Sequence, residues 1–206
     1  MKYPPILFAI LFAQTAFSQT ADTAYSSVIA RHRQEYKEHF LTEARSPLAE
    51  EDTAALDFFS PNKDWKVAAT FVRTTDSLPF DMATYSGRSA RYQQYGTLIF
   101  DKGGKKYTLG IYQNLRLMTS QKHHDYLFLP FKDLTNGETT YGGGRYLDFR
   151  QGDISSDNVL LIDFNKAYNP WCAYSDGFNC PIPPKENHLQ MAVNAGEKNF
   201  KGDKKR

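Results

Sequence analysis

The chain has 206 residues, with 25 lysines and arginines against 23 aspartates and glutamates and a formal net charge of +2 at pH 7. That length makes one domain with ample core, and the near-neutral balance excludes the concentrated basic face that nucleic acid requires.

Residues 1–19 have the layout of a signal peptide. Lys2 supplies the positive start, Ile6 to Phe12 the apolar run, and Ala16-Phe17-Ser18 a small-residue cleavage site. The run is too short to span a bilayer, and no later stretch is long and apolar enough to do so. The expectation is an exported protein, periplasmic or extracellular, with residues 20–206 as a single β-rich domain.

Residues 22–44 have helical periodicity, with Tyr25, Val28, Ile29, His32, Tyr36 and Phe40 on one side. A second, shorter helix is predicted next, with Ser46 as N-cap, Pro47 at the first position and Glu50, Glu51 and Asp52 in the first turn. From Trp65 onward the pattern changes to short strands, predicted at residues 65–72, 80–85, 95–100, 106–112, 126–130, 145–149 and 158–164. Asp101-Lys102-Gly103-Gly104 is a hairpin turn between the third and fourth. There is no alternating strand–helix register, which excludes doubly wound and α/β-barrel architectures. The predicted fold is mainly β: an antiparallel meander closed into a barrel or sandwich, with two N-terminal helices packed on it.

The densest chemistry lies between Glu138 and Asn187. Gly142, Gly143 and Gly144 offer a backbone able to approach a ligand closely and form an anion-binding nest, and Arg145 after them can hold a carboxylate or phosphate. A tight strand connection, with Arg145 paired to an acidic neighbour such as Asp148 or Asp163, is the alternative. Asp163 and Asn165 share a strand face at the end of an apolar run, followed by Tyr168 and Asn169, so they can converge on one ligand. Glu138, Asp163 and Glu186 are the candidate catalytic carboxylates, beside Asp148 and Glu197. No Gly-x-Ser-x-Gly elbow occurs.

Cys172 and Cys180 form a disulfide by default in an exported protein, its small loop contributing roughly 2.5 kcal/mol. Metal ligation, with His123, His124 or His188 completing the set, and a reactive thiol are the alternatives. No cofactor is identifiable.

Several of these segments, in this order, resemble a bacterial and archaeal family called domain of unknown function 1684. They are Leu127-Phe-Leu-Pro-Phe131-Lys-Asp133, Glu138-Thr-Thr-Tyr-Gly-Gly-Gly-Arg-Tyr-Leu-Asp148, Asp163-Phe-Asn-Lys-Ala-Tyr-Asn-Pro170, Cys180-Pro-Ile-Pro-Pro-Lys-Glu-Asn187 and Ala195-Gly-Glu197. The resemblance covers nearly all of the chain after residue 19. It implies that the Gly-Gly-Gly-Arg and Asp-x-Asn-x-x-Tyr-Asn-Pro segments belong together as a signature, and it implies no activity. It also implies relatives without a leader that keep the cysteine pair, so the metal and thiol alternatives stay open.

The functional expectation is a domain binding a small polar or anionic molecule. Its pocket is formed by residues 142–145, 163–169 and 172–187. A carboxylate- or metal-dependent hydrolase and a structural envelope scaffold are the rival readings. Neither nucleic acid nor a membrane span is expected.

Overall fold

A computed structural model describes residues 9–205, with side chains described from Asp22 onward. The signal-peptide expectation falls partly on residues 1–8, outside the described residues. Helix α1 covers Ala9–Thr42. Its inward residues include Ile29 and Phe40, both buried, whereas Val28 is exposed. Removal of a leader ending near residue 19 would leave this packed half of α1 intact.

The predicted second helix does not form. Ser46 turns locally onto Leu48, accepting from its N–H at 3.2 Å, and a five-residue 3₁₀ turn, Glu51–Ala55, comes next. The Asp52 carboxylate accepts the Ala49 N–H at 2.7 Å just ahead of that turn, which has no side-chain cap, and the backbone becomes extended at Leu56, so no further helical turn is added. Leu48 and Leu56 anchor this segment to a small cluster with Phe40 and Tyr174.

All seven predicted strands are present: β1 (Lys66–Arg73), β2 (Phe80–Met82), β3 (Ala90–Lys102), β4 (Lys105–Asn114), β5 (Tyr126–Phe131), β6 (Arg145–Arg150) and β7 (Val159–Asp163). A four-residue helix α2 (Leu115–Met118), capped by the Asn114 side chain, comes after β4. The strands form one antiparallel sheet in the order β6-β5-β4-β3-β1-β7, with β2 attached to β3. Only β3 to β6 form a meander, because β7 returns to pair with β1. The predicted hairpin joins β3 to β4, with Lys102 opposite Lys105.

The sheet is a curled half-barrel, and its ends are not zipped together. Among the described residues β6 and β7 share no ladder. A single bridge, Tyr146 to Tyr168, ties β6 to the chain just beyond β7. An open seam therefore lies between β6 and β7.

Alternation along the strands gives the sheet two different faces. Leu127, Leu129, Leu147, Leu160 and Ile162 point into the main aliphatic core, with Phe131 and Phe164. On β3 to β6 the opposite face is aromatic: Tyr92, Tyr112, Phe128 and Tyr146 cluster with Met82, and Tyr126 and Tyr168 pack beside them.

Candidate functional site

The glycine–arginine segment turns its cation into the fold. Arg145 is 0% exposed. One guanidinium nitrogen bonds the Asp133 carboxylate and the Val193 carbonyl, at 2.8 and 2.9 Å. The other bonds the Ala195 and Glu197 carbonyls. This cation staples the C-terminal segment onto β6, and its partner is Asp133, not the Asp148 or Asp163 of the sequence-based alternative.

Gly143 and Gly144 are buried and Gly142 exposed. The Gly144 N–H closes a turn onto the Tyr141 carbonyl at 3.1 Å. A Cβ on Gly144, whose φ is +94°, would lie 2.7 Å from the Phe131 carbonyl and 2.8 Å from Pro183, so close packing requires the glycine.

The second element is also committed to the fold. Asp163 is held by the Tyr25 hydroxyl at 2.8 Å and the Asn165 N–H at 3.1 Å. The Asn165 side chain clamps Asn62 through its N–H and carbonyl, at 2.9 and 2.8 Å. Together the pair docks α1 and the segment before β1. Residues 58–65 line a broad hollow of about 990 Å³, but its Tyr25 and Asn62 are bonded to this pair. Asn169 is fully buried, its side chain bonded to the Lys198 carbonyl at 2.7 Å.

Cys172 and Cys180 lie at disulfide distance, with Cα atoms 6.2 Å apart. Among the described residues no three His, Cys, Asp or Glu side chains gather as a metal set. Glu138 sits on an exposed turn, and Glu186 is an exposed acceptor for the Tyr112 hydroxyl at 3.0 Å. Neither joins Asp163.

Two carboxylates carry more unusual surroundings. Glu197 is fully buried, and burial pushes its carboxyl up to about 7 against the hydrogen bonds that favour its charge. Its oxygens accept from the Tyr174 hydroxyl at 2.6 Å, the Asn169 N–H at 2.8 Å and the Tyr36 hydroxyl at 3.1 Å. No solvent reaches this group, so its work is internal.

Asp148, by contrast, is open to solvent. It projects from β6 onto the aromatic face. There the Tyr126 hydroxyl donates to it at 2.6 Å and the Tyr168 hydroxyl reaches both its oxygens at 2.8 Å. Crowding by the surrounding protein raises its carboxyl above the usual range, outweighing the two hydroxyls, although its exposure limits the effect.

Asp148 lines one of two neighbouring cavities, which share Tyr168. One, about 400 Å³, occupies the open seam and is lined by Leu147, Asp148, Asp163, Lys166 and Tyr168, with His32 from α1. Burial lowers the pKa of His32, which favours its neutral form. The other, about 360 Å³, is walled by Tyr92, Tyr126, Phe128, Tyr146, Tyr168 and Pro181.

Of the residues singled out from sequence, Tyr168 and Asp163 line this region. The pairing of Tyr126 with Asp148 has a trace in strand alternation, since Tyr126 and Asp148 fall on one face. Their approach across two strands depends on the β5–β6 register, in which Phe128 pairs with Asp148.

Residues 51–198 match the family described as Protein of unknown function (DUF1684). The chain belongs to this family. The family match spans all seven strands, the glycine–arginine turn, both cysteines, Glu197 and the Asp148 cleft. Tyr25, His32 and Tyr36 of α1 precede it. The solution NMR structure of the uncharacterized protein from gene locus rrnAC0354 of Haloarcula marismortui is similar to this chain. The two share 34% identity and a TM-score of 0.66, over 88% of this chain and 96% of that one. No curated protein matches the chain.

Proposed function

We propose that this DUF1684 protein is an exported small-molecule binding domain, and that its site is the seam between β6 and β7 with the adjoining aromatic cleft. The observation that carries this reading is the Asp148 carboxylate. Water reaches it and two tyrosine hydroxyls orient it. It lines the seam cavity of about 400 Å³, and both of its phenol partners line the adjoining cleft of about 360 Å³, volumes that suit a small organic molecule. The glycine–arginine and Asp163–Asn165 elements support that site from beneath. Arg145 pins the C-terminal segment, and Asp163 and Asn165 hold α1 where it contributes His32.

Export belongs to the same proposal. The leader-like residues 1–19 and the cysteine pair at disulfide distance support it, and among the described residues no helix is long and apolar enough to cross a membrane. Intact mass of the periplasmic protein tests this. A chain beginning near residue 20 is expected, and a full-length reduced chain would overturn it.

A thermal-shift panel of small molecules on wild type and Tyr168→Phe tests the binding reading. At least one compound class is expected to raise the wild-type Tm more than the variant's. Equal responses throughout would overturn it.

One observation favours a second reading, hydrolysis through carboxylates: Asp148 and Asp163 line the same cavity. Turnover of an ester, phosphate or glycoside that disappears in Asp148→Asn would establish it.

A further inference from the structure

We propose that the cleft takes a small organic cation, with its ammonium group at Asp148 and its carbon skeleton against the rings of Tyr92, Phe128, Tyr146 and Tyr168. The inference rests on the cleft being the binding site and names the class of ligand.

The first argument is charge. Asp148 has no lysine or arginine partner among the described residues; its hydrogen-bond partners are the phenols of Tyr126 and Tyr168. The His39 imidazole is the basic group that bears on this solvent-exposed carboxylate, which attracts an entering cation and repels an anion. Within the seam, Asp153 and Asp163 add negative charge against the single Lys166, and His32 is held toward its neutral form.

The second argument is the wall. Phe128 and Tyr146 meet edge to face at 4.7 Å between centroids, and Tyr146 and Tyr168 at 5.8 Å and 89°. Tyr92 lies 5.7 Å from Phe128 at 32°. All four rings line the cleft, and a ring face open to it attracts a cation through its quadrupole.

The third argument is the shortage of free donors. The hydroxyls of Tyr126 and Tyr168 are spent on Asp148 and that of Tyr146 on the Pro181 carbonyl; the other polar groups of the wall are the Tyr92 hydroxyl, which meets Asn114, and the His123 imidazole. A sugar would need several polar partners, and an anion would need donors. A cation needs the carboxylate and the ring faces.

The test uses the full chain with ¹³C-labelled tyrosine and phenylalanine rings, observed by NMR. The probes are n-butylammonium and choline. The comparators are 3,3-dimethylbutanol (choline's neutral isostere), butyrate and glucose. Both cations are expected to shift Tyr126 and Tyr168 signals saturably, binding about tenfold more tightly than the neutral isostere. Asp148→Asn, whose amide oxygen still accepts from the phenols, is expected to remove that advantage with its ring spectrum otherwise preserved. Dimethylbutanol or glucose binding as tightly as the cations would overturn the cation assignment and leave the cleft as a binding site. If no probe moves the cleft rings, or if Phe40 and Phe164 move equally, the cleft itself is overturned. Should Asp148→Asn fail to fold, the salt dependence of choline binding to wild type serves instead. Affinity is expected to fall with salt, and a salt-independent affinity would overturn the charge argument.

Discussion

Replacing Glu197 by glutamine should make the protein's stability less sensitive to pH. Glu197 is 0% exposed and sits in a ring of hydrogen bonds with Tyr174 at 2.6 Å and Tyr36 at 3.1 Å, the two hydroxyls themselves 2.8 Å apart. Burial raises its carboxyl from 4.5 to about 7, so the folded protein favours the protonated form more than the unfolded chain does. The stabilisation is therefore complete below about 4.5 and lost as pH rises through about 7. That interval corresponds to about 3 kcal/mol, of which about 2 to 3 kcal/mol falls between pH 5 and pH 8. Glutamine can serve the same ring. Its NH₂ donates to Tyr174, Tyr174 donates to Tyr36, and its oxygen accepts from Tyr36 and from the Asn169 N–H. Urea denaturation of wild type and Glu197→Gln at pH 5 and pH 8 measures the effect, with contributions from other groups, Asp148 included, cancelling between the two proteins. The variant should gain about 2 to 3 kcal/mol relative to wild type on going to pH 8. A gap that does not change with pH, or that moves the other way, would refute the reasoning.

The same geometry sets three further outcomes. Arg145→Met should lower unfolding free energy by roughly 3 to 5 kcal/mol, read from the urea midpoint, because it leaves Asp133 charged and buried. An affinity loss for a cleft ligand at unchanged stability would instead restore Arg145 as a contact. Gly144→Ala should cost roughly 2 to 4 kcal/mol in the same assay, since a φ of +94° and the Phe131 carbonyl both oppose a Cβ; a neutral result would show that the turn relaxes. The double variant Cys172→Ser, Cys180→Ser should lose about 2.5 kcal/mol, the loop-closure contribution of a disulfide spanning 8 residues, and no difference from wild type under oxidising conditions would mean that the thiols are not bonded.

The strands were legible because their information is local. Alternation in Lys66–Arg73 and the continuous apolar run of Tyr126–Phe131 depend on neighbouring residues, and the hairpin before Lys105 depends on four. The second helix was misread for a related reason. Ser46 and Pro47 are start signals, yet the backbone becomes extended at Leu56, and Asp52 satisfied the Ala49 N–H from outside any α-helix. The signature residues were legible as special, but their kind was not. Glycines beside an arginine describe an anion site and a buried staple equally well, until Asp133 and the carbonyls of Val193, Ala195 and Glu197 are known to surround the guanidinium.

By itself, then, the sequence determined the strand content, the hairpin and the family, since each rests on periodicity or ordered motifs. Only the tertiary structure decided that Arg145 is inside and Asp148 outside, three residues apart on one strand. Burial depends on what the sheet's curl brings opposite each side chain. At Arg145 it brings a carboxylate and a row of carbonyls, while at Asp148 it brings two phenols and an open seam.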